Sequence, residues 1–145
     1  MGNVETLKGG YEAFGRGDVP SVLAVFDPAI QWREAESNPY KPDGGAWIGG
    51  DAVVENLFMR LGTEWDGFAV TPEKFHDAGD VVVAECRYTG VYRPTGKGVN
   101  AQACHVWTFK DGKATHFQQY VDTAQMQDAM GTTDAEHAGA AASVA

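Results

Sequence analysis

The chain has 145 residues, a length that favours one domain with one core. Its net charge of −9 argues against nucleic acid and anionic membrane surfaces as partners, since both attract basic surfaces. Hydrophobic residues make up 43%, enough for a packed core, and no apolar run approaches the ~20 residues that span a bilayer.

The cysteine content and the N-terminal residues indicate which cofactors and which compartment to expect. The two cysteines form no Cys-x-x-Cys or Cys/His cluster, so we predict no metal site and no cofactor. The first ten residues, "MGNVETLKGG", lack a basic start followed by an apolar stretch, so no signal peptide is predicted. The cytoplasm is therefore the expected compartment.

Two helices are predicted at the start of the chain. The first has apolar side chains at helical spacing: Val4, Leu7, Tyr11 and Phe14. It should end near residues 15–17. Asp18 then fits the N-cap of a second, short helix with Pro20 in its first turn. Asp27 and Pro28 end that helix.

A strand, a loop and a third helix come next. Residues 29–36, "AIQWREAE", alternate in polarity as a strand does. Residues 37–50 are rich in Pro and Gly and predict a long loop of the kind that is often functional. Asp51 fits the N-cap of the third helix, and Gly62 fits its C′ position.

The second half of the chain predicts strands separated by short turns: 68–76, 80–93, 99–109 and 113–122. A short helix over 123–130 should follow, and the Ala-rich tail, 131–145, is expected to be disordered and dispensable. This order predicts a single α+β domain over residues 1–130. A curved antiparallel sheet would carry the helices on its concave side.

The lengths of two turns determine which side chains of the last three strands point to the inner face of the sheet. If residues 95–96 and 111–112 are both two-residue turns, His105 lies opposite Cys86 on one side and Gln118 on the other. A three-residue loop with a bulge at the second turn would shift the pairing by one and reverse the face of the last strand. Both alternatives stay open at this point.

The two-residue reading assigns these side chains to one, inner face: Val82, Ala84, Cys86, Tyr88, His105, Trp107, Phe109, His116, Gln118, Tyr120 and Asp122. Cys86 and Cys104 would then face opposite sides, which argues against a disulfide. The convex face would expose four apolar side chains if the protein were monomeric: Val81, Val83, Val106 and Phe117. We therefore predict a homodimer.

Five segments in a characteristic order carry a family resemblance: "YEAFGRGD", "VFDPAIQW", "IGGDAVV", "GDVVVAECRYTG" and "HVWTFKDGKATHFQQYVD". Together they make residues 3–130 resemble the nuclear transport factor 2-like superfamily, and within it the SnoaL-like polyketide cyclases and ketosteroid isomerase-like proteins. The resemblance implies a cone-shaped, strongly curved sheet wrapped around N-terminal helices, with a deep apolar pocket. This fold hosts both enzymes and non-catalytic modules, so it does not fix the chemistry.

The resemblance also implies three catalytic candidates. Asp122 and His105 match the acid/base pair of the cyclases, an aspartate late in the last strand and a histidine in the strand before it. Glu34 matches the base carboxylate of ketosteroid isomerases, one methylene longer. The oxyanion tyrosine of those isomerases has no clean match, because Tyr11 is about one residue out of register. The cyclase-like pair therefore fits better.

Each candidate also has a purely structural explanation. Asp122 could cap the last helix, and His105 could be a core histidine bonded to backbone. Glu34 shares a face with Trp32, and it is a buried base only if that face is the interior. Aromatic residues that could line a pocket for a flat ligand, or simply pack the core, are Trp32, Tyr40, Trp47, Phe58, Tyr88, Trp107 and Tyr120.

The leading hypothesis is a small cofactor-independent enzyme that moves a proton next to a carbonyl of a hydrophobic polyketide- or steroid-like substrate. Isomerisation, aldol cyclisation and dehydration all fit this description. The alternative is a non-catalytic module that binds a small hydrophobic molecule or dimerises. An epoxide hydrolase is disfavoured because Arg33 and Arg87 should face outward.

Overall fold

The computed structural model describes residues 2–132. Its elements are α1 (Asn3–Gly15), α2 (Val19–Leu23), β1 (Phe26–Arg33), β2 (Ala46–Ile48), α3 (Gly50–Val53), a π-helical turn (Val54–Phe58), α4 (Met59–Glu64), β3 (Trp65–Ala78), β4 (Val81–Tyr92), β5 (Lys97–Lys110), β6 (Lys113–Val121) and α5 (Thr123–Met130). The predicted α+β fold is confirmed. Most of the predicted disordered tail lies outside the described residues. Within them, no helix has the length and apolar character needed to cross a membrane.

One curved, open sheet of six strands, in the order β2-β1-β6-β5-β4-β3, forms the wall of the domain. All neighbours are antiparallel except β1 and β6, which run parallel. Irregular pairing in β3, between residues 66 and 69 and between 72 and 74, adds local twist and bends the long strands. The apolar face of α1 packs into the concave side through side chains such as Leu7, 1% exposed.

The helical predictions hold for α1 and α2 and need correction for the third helix. Asp18 caps α2 as predicted, accepting a hydrogen bond from Ser21 N at 3.2 Å. The third helical segment is capped by Gly49 instead of Asp51, which lies in its first turn. Gly62 does not end it, because the helix continues to Glu64 before β3 begins. The predicted loop also contains the edge strand β2.

The β4–β5 hairpin has the predicted faces with a longer turn. Four residues, 93–96, separate the last pair, Tyr92 and Lys97, so Ala84 lies opposite His105. This register differs from the predicted one by two residues, and a shift of two keeps every side chain on its face. The inner face of β4 and β5 is therefore confirmed, and Cys86 and Cys104 point to opposite sides as free thiols.

The β5–β6 hairpin has the predicted two-residue turn and an unpredicted bulge beyond it. Lys110 pairs with Lys113 as expected, but the register then shifts, and Thr115 is the extra residue on β6. From that point the pairing is Thr108 with His116 and His105 with Gln119. The bulge turns the rest of β6 over, because a shift of one residue exchanges the faces of a strand.

The bulge overturns the predicted facing of β6. His116, Gln118, Tyr120 and Asp122 do not share the inner face with His105, whereas Phe117, Gln119 and Val121 do. Tyr120 is 58% exposed and Phe117 only 2%. The buried Phe117 ring stacks on Trp32 with 3.6 Å between centroids. Phe117 therefore leaves the apolar set of the convex face, where Val81, Val83 and Val106 remain half-buried, and the homodimer stays a prediction.

Candidate functional site

A pocket lies between α1, the helical segment of residues 50–64 and the inner face of the sheet. The volume that the centres of water-sized spheres can occupy in it is about 70 Å³, and all space outside protein atoms, open solvent included, amounts to about 700 Å³. Its walls are almost entirely apolar and aromatic, as in typical small-molecule sites. Seven of the predicted residues line it: Trp32, Glu34, Tyr40, Phe58, Tyr88, His105 and Trp107. Trp47, Tyr120 and Asp122 are not among its lining residues.

Glu34 is the acidic group of this pocket. It directly follows β1, and its side chain is buried, with 2% exposed. Trp32 Nε1 donates to Glu34 Oε2 at 3.1 Å. No ion pair to Glu34 occurs among residues 2–132. Burial raises the pKa of this carboxyl to about 7, and hydrogen bonds from Trp32 and Gln119 limit the rise.

His105 lies on the inner face of β5, held between two tyrosines. Tyr11 Oη is 2.6 Å from Nδ1, and Tyr88 Oη is 2.5 Å from Nε2. Burial lowers the pKa of His105 to about 3, so the imidazole is neutral near pH 7. Burial also raises the pKa of both tyrosines well above the usual value, so their hydroxyls keep their hydrogens.

The two tyrosines are hydrogen-bond acceptors as well. Trp107 Nε1 donates to Tyr11 Oη at 2.9 Å, and Gln119 Nε2 donates to Tyr88 Oη at 3.0 Å. The resulting chain of polar groups runs Trp107–Tyr11–His105–Tyr88–Gln119 through an otherwise apolar pocket. Such connected networks polarise their members and hold them in place.

A count of hydrogens shows what this chain can offer a ligand. Tyr11, neutral His105 and Tyr88 each contribute one hydrogen, but the two tyrosine–histidine contacts use only two. One tyrosine therefore donates to the imidazole, and the other accepts from it. The accepting tyrosine keeps a hydroxyl hydrogen that neither contact consumes, which we call the spare hydrogen.

Gln119 and Asn38 are polar pocket residues that the sequence prediction missed. Asn38 Nδ2 donates to Gln119 Oε1 at 2.8 Å, and Ala35 N donates to the same oxygen at 3.2 Å. The predicted pairing placed Gln118, and not Gln119, on the inner face, and Asn38 lies in the predicted loop. The bulged alternative was the available signal, because it places Gln119 opposite His105. Tyr11 also belongs to the site, although its match to the isomerase tyrosine was imperfect.

Asp122 has the structural use that the sequence allowed for it. It is the N-cap of α5 and accepts hydrogen bonds from Gln125 N at 3.3 Å and Gln125 Nε2 at 3.0 Å. The expectation that it shares a face with His105 is wrong, because the Thr115 bulge turns the end of β6 over. Among residues 2–132, no group of three or more His, Cys, Asp or Glu side chains could hold a metal ion.

Comparisons with known proteins support this fold. A nuclear transport factor 2-like protein from Burkholderia thailandensis is 38% identical, with 90% of this chain and 98% of that chain covered and a TM-score of 0.84. One of unknown function from Burkholderia pseudomallei is 30% identical, with 88% and 95% covered and a TM-score of 0.77. TerC, co-crystallised with polyporic acid, is 26% identical, with 90% and 98% covered and a TM-score of 0.78.

No curated protein matches the sequence. The SnoaL-like domain, in contrast, matches residues 7–117, which is most of the chain and includes β1 through Phe117. The matched range holds Glu34, Tyr11, Tyr88 and His105, and it ends before Asp122. With its fold, its pocket and this match taken together, the chain belongs to the SnoaL-like domain family.

Proposed function

We propose that this protein is an enzyme whose own side chains move a proton next to a carbonyl of a hydrophobic, polyketide- or steroid-like substrate. One observation carries the proposal: a carboxyl group, Glu34, is buried in an apolar pocket without a cation to pair with among the described residues. Burying such a group costs stability, and folds retain that cost mainly at functional sites. TerC, a relative co-crystallised with polyporic acid, supports a small organic ligand.

Glu34 is the proposed acid/base. A pKa of about 7 places the carboxyl near half-ionisation at neutral pH. The ionised form can remove a proton from carbon, and the protonated form can return one, without a large energetic penalty in either direction. The apolar walls keep bulk water from competing for the proton.

The spare hydrogen of the tyrosine–histidine chain is the proposed stabiliser of the oxyanion. In one direction Trp107 donates to Tyr11, Tyr11 to His105 and His105 to Tyr88, so Tyr88 can donate to a ligand oxygen. In the reverse direction the spare hydrogen is on Tyr11. Both tyrosines line the pocket, and a donor aimed at developing charge in a dry site is worth far more than in water.

The reaction follows from these two elements. Glu34 takes a proton from the carbon next to the carbonyl, the C–H electron pair becomes the enolate double bond, and charge moves to the carbonyl oxygen at the spare hydrogen. Glu34 then returns the proton to another carbon in an isomerisation, or to the new alkoxide when the enolate closes a ring. In a dehydration it protonates the departing hydroxyl as water.

His105 acts through its tyrosines in this proposal. Both ring nitrogens are within hydrogen-bond distance of a tyrosine hydroxyl, so the imidazole is already engaged on both sides. Its tautomer determines which tyrosine carries the spare hydrogen. His105 is therefore a positioning residue, unlike the direct acid/base partner of Asp122 that the cyclase resemblance implied.

Deuterium exchange into 2-tetralone, a compact bicyclic ketone, tests the proposal without the natural substrate. Wild-type protein should accelerate exchange of the acidic C–H groups, followed by NMR in D₂O. Glu34→Gln should lower the catalysed rate by about 10²–10⁴-fold, the usual contribution of a positioned base. The matched control is Glu36→Gln, because Glu36 lies two residues further along and is exposed.

Binding of 2-naphthol, a phenol of similar size, separates a catalyst from a binding module. We expect Glu34→Gln to keep this affinity within a few-fold while losing exchange. If wild-type protein binds 2-naphthol but accelerates exchange no more than Glu34→Gln does, the enzyme proposal is wrong and the non-catalytic module replaces it.

A further inference from the structure

A second cavity adjoins the pocket between the end of α1, α2 and the junction of α4 with β3. Five side chains line both cavities: Phe14, Val22, Phe58, Leu61 and Phe68. Six residues line only the second one, which we call the outer cavity: Gly17, Val19, Gly62, Trp65, Gly67 and Arg93. The two spaces are therefore separated by a single layer of side chains.

Phe14 and Phe58 contact each other within this layer. Their rings meet edge to face with 5.2 Å between centroids, and both are half-buried. Phe58 ends the π-helical turn, a local irregularity that often marks functional sites in helices. A ligand that extends from one cavity into the other would have to displace one of these rings. The pocket would then accept a ligand longer than itself.

Glycines keep the outer cavity open. A Cβ added at Gly17, Gly62 or Gly67 would meet no atom within 4 Å, so the missing side chains leave room. Gly17 and Gly67 have positive φ and would be strained by any side chain. Gly62 lies within α4 and has no positive φ, so a larger residue there causes no backbone strain. Its side chain would start at the lining of the outer cavity.

Arg93 is the charged residue among those of residues 2–132 that line the outer cavity. Its Nε lies 2.8 Å from Asp66 Oδ1, and its side chain is 53% exposed. Its backbone N donates to Glu64 O at 2.9 Å, which fixes the start of the turn after β4. A guanidinium has five N–H donors in a fork, so Arg93 can donate to Asp66 and still donate to a second carboxylate.

We propose that the natural substrate is an elongated molecule whose carbonyl end lies at Glu34, whose apolar body passes Phe14 and Phe58, and whose far end is an acidic group bound by Arg93 in the outer cavity. This inference rests on the proposed function, since it extends the same site. Among residues 2–132, Arg93 is the cationic residue that lines the outer cavity, and the guanidinium N–H groups not bonded to Asp66 are the donors that an anionic ligand would use there.

A homologous series of ω-(4-hydroxyphenyl)alkanoic acids tests the inference, with chains from three to ten carbons. The phenol represents the enolate end, and titration calorimetry gives the affinity of each acid and of its methyl ester. We expect affinity to rise with length and the acid to exceed the ester by about tenfold, but only for the long members, which reach Arg93. Arg93→Gln should abolish that acid preference.

Gly62→Leu is the second variant, and Gly9→Leu is its matched control. Both glycines are exposed helix positions with no atom within 4 Å of an added Cβ, but only Gly62 lines the outer cavity. Gly62→Leu should weaken the long acids about tenfold or more and leave 3-(4-hydroxyphenyl)propanoic acid unchanged. Gly9→Leu should change neither the affinity of the long acids nor that of the short one.

Equal affinities for long and short acids, or for acids and esters, would overturn the inference. The same holds if Gly62→Leu and Gly9→Leu behave alike. Failure of the proposed function is seen separately, because 2-tetralone is too compact to reach Arg93. If Glu34→Gln did not slow tetralone exchange, the proposal that the protein is an enzyme would fail. A dependence of affinity on chain length would then describe a binding site.

Discussion

Two carboxyl groups directly follow neighbouring strands of one sheet, Glu34 after β1 and Asp122 after β6, and the fold gives them opposite environments. Glu34 is buried in the apolar pocket, and burial raises its pKa to about 7. Asp122 is half-buried and its oxygens accept two hydrogen bonds from Gln125 at the start of α5. A position at the end of a strand therefore says little about whether a carboxylate can act as a base.

The difference between the two carboxyl groups traces to one inserted residue. With Thr115 bulged out, Phe117 and Gln119 face the pocket and Asp122 becomes a helix cap. Without the bulge, Gln118, Tyr120 and Asp122 would face inward instead. The following experiments test this contrast.

Phe117→Ala should have the largest effect. The bulge places this ring in the pocket wall against Trp32, and loss of a buried phenylalanine costs about 3–5 kcal/mol, so we expect the free energy of unfolding in urea to fall by about that amount. Tyr120→Ala, at a position that the bulge turns to solvent, should cost about 1 kcal/mol or less. Equal effects of the two changes would show that the bulge does not control the faces.

Glu34→Gln should stabilise the protein above pH 7 by about 3 kcal/mol. The carboxyl has a pKa of about 7 when folded and about 4.5 when unfolded, so between these values the unfolded chain is ionised while the folded one keeps its proton. Stability of the wild type therefore falls as pH rises through this window, by 1.36 kcal/mol per pKa unit.

A glutamine at position 34 does not ionise, so it has no pH-dependent cost of burial. Its side-chain oxygen can still accept a hydrogen bond from Trp32. Denaturant titrations should show the gain at pH 8 and a difference below about 1 kcal/mol at pH 4, and the exposed Glu36→Gln should show neither. An equal effect of Glu34→Gln at both pH values would mean that Glu34 is ionised throughout.

The rate of tetralone exchange should rise about a hundredfold between pH 5 and pH 8 and then level off. The ionised fraction of a group with a pKa of about 7 grows from about 1% to about 90% over that range. Asp122→Asn should retain the same profile and rate. A profile that stays flat, or one that changes with Asp122→Asn, would return Asp122 to the role of acid/base.

Asp122→Ala should have the smallest effect, a loss of about 1 kcal/mol in the free energy of unfolding, which is typical of a lost N-cap. The free energy of unfolding of Asp122→Asn should stay within a few tenths of a kcal/mol of the wild-type value, because Asn caps a helix nearly as well as Asp. Thermal unfolding of the two variants measures both. A loss with Asn as large as with Ala would point to a role of the charge beyond the cap.

Much of the fold follows from local patterns. The stripe of α1, the Asp18 cap, the four long strands and α5 lie close to their predicted positions. Glu34 and His105 were selected from the sequence, and both line the pocket. The third helix was misjudged at both ends, because glycine and aspartate are cap residues only where the backbone turns. At Gly62 the helix simply continues.

The sequence by itself determined the order of the main helices and long strands and the inner faces of β4 and β5, because these depend on periodicity within each segment. Only the tertiary structure decided the face of β6. Its bulge lets Phe117 stack on Trp32 and lets Gln119 bond to Tyr88 and Asn38. Those partners lie up to 85 residues away in the sequence, and no pattern within β6 records their positions.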